Sequence, residues 1–133
     1  ARLFSTELKS KSSKDGYDII YDQIGDCYAE PAFRSIGWKG KYLVVGFAAG
    51  QIPELPINLT LLKGASVVGV FWGAFTGREF EENQKNIADI NSLLSNGDIK
   101  PLISKKIPME DAIEAINLIG SRGVVGKVVL VNK

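Results

Sequence analysis

The 133-residue chain contains no histidine, one cysteine and one methionine, and its 16 basic residues nearly balance 15 acidic ones. Each scarcity removes a class of function. Without histidine no Ser/His/Asp or Cys/His constellation can be assembled, and the commonest general acid/base is missing. A lone Cys27 permits no internal disulfide and, with no histidine beside it, no Cys/His metal site. A net charge of +1 is too small for the electrostatic footprint of a nucleic-acid or membrane-surface binder. No apolar run approaches the roughly 18 residues of a membrane span, and no charged-then-apolar leader opens the chain. The expectation is a cytoplasmic protein, with the mitochondrion as the alternative compartment. The chain begins at Ala1 inside what reads as a helix, without an initiator methionine, so it is expected to be a piece of a longer protein.

What remains is an ordinary globular composition, 45% hydrophobic and 23% charged, enough to build a core. Leu3, Phe4 and Leu8 at near-helical spacing predict a helix to about Lys11; "SSKDG" breaks it, and "YDIIYD" predicts a strand. A helix follows from about Asp26, with Ala32, Phe33 and Ile36 on its apolar side and "GWKGK" as its end. "YLVVGF" is the kind of almost wholly apolar run that a parallel sheet buries on both faces. Strand, helix, strand is a parallel crossover unit.

Asn58 is the expected N-cap of a short helix closed by Gly64, and "ASVVGVFWG" reads as a further buried or interface strand. About twenty helical residues then carry an apolar stripe of Phe80, Ile87, Ile90, Leu93 and Leu94, with Gly97 as the stop. "DIKPLI" reads as an edge strand or irregular segment. Pro108 opens a last helix with Glu110 and Asp111 in its first turn and Met109, Ala112, Ile113, Ile116 and Leu118 or Ile119 directed inward; "GKVVLVNK" is the last strand. The adjacent pairs Glu81–Glu82 and Glu110–Asp111 point in different directions on a helix and are expected to be solvated rather than to share a site.

Three strands end in glycine-containing turns: "IIYDQIG", "LVVGFAAG" and "VVGVFWG". In open α/β sheets ligands bind beyond the carboxyl ends of parallel strands, so these tips should line one crevice. The second of them does not have the spacing of a phosphate cradle. Gly46 and Gly50 read G-x-x-x-G, and the prolines of "QIPELP" block the helix that such a cradle needs at once.

"GYDIIYDQIG", "GKYLVVGFAAG", "LLKGASVVGVFWG", "LLSNGDIKPLI" and "EAINLIGSRGVVGKVVL", in this order, resemble the C-terminal portion of the medium-chain dehydrogenase/reductase superfamily, in the branch of the zinc-independent quinone oxidoreductases. The resemblance implies an α/β fold: residues 1–97 as the C-terminal half of a Rossmann-type parallel sheet, and residues 98–133 as the segment returning to a largely absent chaperonin-10-like catalytic domain. It implies NADPH or NADH as cofactor. Val45 and Val70 would offer carbonyls to the carboxamide nitrogen, and Trp72 its N–H to the carboxamide oxygen. Gly46 and Gly73 would let the ring lie close, Phe47 and Phe71 would shape the pocket, Gln23 and Ile24 would meet the adenine–ribose side, and Arg122 would reach the cofactor. No catalytic side chain and no metal ligand is assigned. The implied reaction is hydride transfer to a quinone or conjugated enone, in a homodimer formed through the strand Ser66 to Phe71. Two alternatives stay open, a zinc-dependent alcohol dehydrogenase or enoyl reductase of the same superfamily, and a non-catalytic dimerisation module.

Overall fold

The structure is a computed structural model that describes residues 2–132, with side chains described for residues 4–132. The chain forms two compact units, Ala1–Glu79 and Phe80–Lys133.

The first unit holds helix α1 (Arg2–Lys11), strand β1 (Tyr17–Asp22), a single 3-10 turn leading into α2 (Ala29–Arg34), strand β2 (Ile36–Val44), α3 (Asn58–Lys63), strand β3 (Ser66–Gly69) and α4 (Trp72–Arg78). The three strands make one sheet in the order β1-β2-β3, parallel throughout. One face is covered. Tyr42 and Ile20 from the sheet pack with Ala29 and Phe33 of α2 and with Leu59 of α3, and the Phe33 and Tyr42 rings meet edge to face at 5.4 Å. On the opposite face Ile19 and Tyr21 stand 60% and 63% exposed. Alternate residues of a strand point to opposite faces, so one sheet carries both a core and a bare side.

The regular β1–β2 ladder begins later than β2 itself. Tyr17 pairs with Ile36, but the next registered pair is Ile19 with Lys41. The residues Gly37, Trp38, Lys39 and Gly40 are an excursion, with Lys39 at φ 62. The segment "GWKGK", expected only to end α2, therefore also enters the strand. The glycines permit this by close backbone approach. A Cβ on Gly16 would lie 2.7 Å from the Gly37 nitrogen and the Ser35 carbonyl oxygen, and one on Gly37 would lie 2.6 Å from the Asp15 carbonyl oxygen.

Other expectations need correction. Ile57, not Asn58, holds the N-cap position of α3, without a side-chain cap bond; Gly64 does close the helix, in a left-handed conformation. The third strand stops at Gly69 and all four of its residues are exposed, so it is not a buried strand; Phe71 and Trp72 lie beyond it, with Trp72 opening α4.

The second unit comprises α5 (Phe80–Ser95), β4 (Ile103–Pro108), α6 (Ala112–Gly120) and β5 (Lys127–Val131). β4 and β5 pair in parallel, a second crossover unit with Ile107 and Ala115 buried. Gly97 ends α5 at φ 78, its N–H donating to Leu94. The apolar stripe expected on α5 is exposed from Phe80 to Leu94. In α6 and the 3-10 turn Met109–Asp111 before it the inward set is also different: Ala115 is buried, Ala112 and Leu118 are half-buried, and Met109, Ile113, Ile116 and Ile119 are exposed.

Candidate functional site

The three strand tips share one edge. Asp22 pairs with Val44 and Val44 with Gly69, so parallel register alone brings the carboxyl ends of β1, β2 and β3 level. Beyond the ladder the backbone bonds continue. The N–H groups of Val45 and Gly46 donate to the Asp22 carbonyl at 2.8 and 3.3 Å, and Val70 donates to Val44 at 2.8 Å. Ala48 and Ala49 donate to Gln23 and Ile24, each at 3.0 Å. Gln23 and Ile24 are thus joined to the loop carrying Val45, Gly46 and Phe47.

Among the described residues, the Val45 and Val70 carbonyls accept no backbone N–H, and the Trp72 N–H has no backbone acceptor. For Trp72 this follows from position, since the opening N–H groups of a helix have no partner within it. Phe47, Phe71 and Trp72 are all exposed, Phe71 by 79%, and the Trp72 indole stacks on Phe75 at 5.3 Å. A Cβ on Gly46 would meet nothing nearer than the Gln23 carbonyl oxygen at 3.5 Å, ordinary contact. The chain's own packing therefore does not require glycine there. It does at Gly25, where φ is +69 and a Cβ would lie 2.9 Å from the Phe47 ring.

Arg122 lies in the second unit, exposed in the turn after α6 at φ 56, with its N–H bonded to the Ile119 carbonyl at 3.0 Å. Gln23 and Ile24 are exposed at the end of β1. Cys27 is exposed as well, in a groove of about 580 Å³ whose wall includes Glu30, Arg34, Ile52 and Glu54.

Two residues that sequence reasoning passed over organise the tips. The Asp22 carboxylate accepts the N–H of Ile24 at 2.8 Å and of Gly25 at 2.9 Å through Oδ1. Its Oδ2 accepts the hydroxyl of Tyr42. Burial pushes the Tyr42 phenol well above its ordinary range, and the hydrogen bond and charge of Asp22 push it the same way. The available signal was a tyrosine in an otherwise aliphatic buried run, since a buried phenol needs a partner.

Parallel strands joined by helices, with their carboxyl ends level at one edge, define the class: an α/β fold with a Rossmann-type parallel sheet. Residues 3–130 match the family described as zinc-binding dehydrogenase, and the chain belongs to that family, the C-terminal portion of the medium-chain dehydrogenase/reductase superfamily. It is 30% identical over 96% of its length to quinone oxidoreductase-like protein 2 homolog of Nematostella vectensis, covering 35% of that protein. It is 31% identical over 86% of its length to quinone oxidoreductase-like protein 2 of Bos taurus, covering 33% of that protein. Its fold matches a mycobacterial protein solved in complex with NADPH, with a TM-score of 0.81 at 21% identity, over 98% of this chain and 39% of that one. The chain thus spans about a third of the length of the curated relatives it matches. There is no histidine, and among the described residues no group of three or more Cys, Asp or Glu is placed to hold a metal ion.

Proposed function

We propose that this chain is the nicotinamide-side part of a NAD(P)H-dependent oxidoreductase that reduces quinones or conjugated enones. The observation that carries the reading is the level alignment of the tips, with Val45 and Val70 carbonyls that accept no backbone N–H and a Trp72 N–H without a backbone acceptor among the described residues. A nicotinamide carboxamide needs acceptors for its nitrogen and a donor for its oxygen, and this set of atoms supplies both. Val45 and Val70 hold the amide nitrogen, Trp72 holds the amide oxygen, and Phe47 and Phe71 flank the ring over Gly46 and Gly73. Gln23 and Ile24 meet the adenine–ribose side, and Arg122 is a further cofactor contact. Residues 1–97 belong to the dinucleotide-binding half and residues 98–133 to the returning segment of the catalytic domain.

The bound dinucleotide supplies a hydride, two electrons and one proton, to the electron-poor acceptor. The resulting anion takes its second proton from water, so no histidine is obligatory. The names of the relatives support a quinone. The exposed edge of β3, Ser66–Gly69, is assigned to pairing with its twin in a homodimer. A cytoplasmic location completes the reading.

The test is NADPH oxidation with a simple quinone by the full-length protein that carries this chain. Gly46→Trp fills the space against the tip and is expected to abolish turnover. Equal rates for the two proteins would rule the site out.

A further inference from the structure

We infer that Asp22 and Tyr42 are positioning residues that set the spacing between the two cofactor-facing loops; the inference rests on the nicotinamide reading above. Asp22 bonds to both loops and to a strand. Its carbonyl oxygen receives Val45 and Gly46, which fixes where the chain leaves β2. Its Oδ1 receives Ile24 and Gly25, which fixes the turn beyond β1. Its Oδ2 receives the Tyr42 hydroxyl, and Tyr42 is itself held in the core, 1% exposed, against Phe33.

The carboxylate is therefore anchored at a point that does not move with either loop. A hydrogen bond to a charged acceptor is stronger than one between neutral groups. Without the phenol the carboxylate keeps only its contacts to its own turn, and the backbone bonds from Ala48 to Gln23 and from Ala49 to Ile24 are left to hold the two loops together at a less closely defined spacing. Gln23 and Ile24 would then shift relative to Val45, Gly46 and Phe47, and a long rigid ligand touching both loops would feel the change more than a short one touching one.

The experiment uses the full-length protein with three variants, Tyr42→Phe, Asp22→Asn and the double change, at a temperature where each is folded. Nicotinamide fluorescence titration reads NADPH binding, and 2′,5′-ADP, which lacks the nicotinamide, is the short comparator. Each single change is expected to weaken NADPH by about tenfold, a change of roughly 1.4 kcal/mol. The double variant should be no weaker than either single one, 2′,5′-ADP should change less than threefold, and the KM for NADPH should rise with kcat retained. A Tyr42→Phe protein that is less stable but binds NADPH as wild type does would overturn the inference, leaving the pair a merely structural one.

Amide hydrogen exchange at Ile24, Gly25 and Gly46 separates this failure from failure of the underlying reading. Faster exchange there in Tyr42→Phe, with Leu59 unchanged, upholds the lock even if wild type binds no NADPH, in which case the cofactor reading falls. Unchanged exchange at the three amides overturns the lock whatever the titration shows.

Discussion

A tyrosine hydroxyl that reaches a carboxylate from inside the core makes stability depend on alkaline pH. The Tyr42 pKa is raised in the folded state, by burial first and then by Asp22. A group raised on folding stabilises fully below its unfolded pKa, near 10 for tyrosine, and loses that contribution as pH climbs above it. Unfolding midpoints measured from pH 8 upward should therefore fall beyond about pH 10 more steeply in wild type than in Tyr42→Phe, and parallel profiles would contradict the assignment. At neutral pH, Tyr42→Phe is expected to cost about 1.5–3 kcal/mol, the range for a hydrogen bond to a charged group, read from denaturant midpoints. Lys39 offers the opposite sign. It is exposed at φ 62, where an L side chain costs about 1–2 kcal/mol, so Lys39→Gly should leave stability unchanged or raise it slightly despite the added freedom of the unfolded chain. At this scale the sequence was only partly legible. The strand ends near Val45 and Val70 could be located because glycines follow them, whereas the roles of these residues toward a cofactor came only from the resemblance. The Asp22–Tyr42 contact could not be located, because it joins residues twenty apart whose meeting depends on a register that no local pattern encodes.

Elements were legible where periodicity and flanking residues agreed. The helix ending at Lys11, the strand "YDIIYD" and the stops at Gly64 and Gly97 fall where the sequence puts them. They were misread where apolar residues outnumber the buried positions. Helix α6 is apolar almost all round, so spacing alone did not single out one face, and the inward set of Met109, Ala112, Ile113, Ile116 and Leu118 or Ile119 left out Ala115, which the structure buries. Two substitutions follow from that geometry. Ala115→Leu should cost about 1–3 kcal/mol through overpacking, while Ile113→Ser should stay within about 0.5 kcal/mol of wild type; thermal or urea unfolding of both decides whether the inner face is assigned correctly. Strand β3 was read too long for a related reason: "VVGVFWG" is uniformly apolar, and nothing in its pattern marks where pairing stops and α4 begins.

Many large apolar side chains of both units are exposed. Ile19 and Tyr21 on the sheet, Phe71 and Trp72 at the tips, and Ile87 to Leu94 on α5 are all open to solvent, in a chain that spans about a third of its curated relatives. Exposed patches of this kind mark interaction surfaces. The 133-residue chain on its own should therefore enhance the fluorescence of a hydrophobic dye well above the full-length protein at equal concentration, and should bind NADPH more weakly; equal dye signals would mean that the open faces stay open in the longer protein. Its three-stranded sheet has two margins, β1 on one side and β3 on the other. Among the described residues neither is capped by a further strand. The twin pairing proposed for β3 would close on itself by its two-fold axis and leave a β1 margin at each end, so in that proposal a second round of strand addition is prevented only where other polypeptide seals β1.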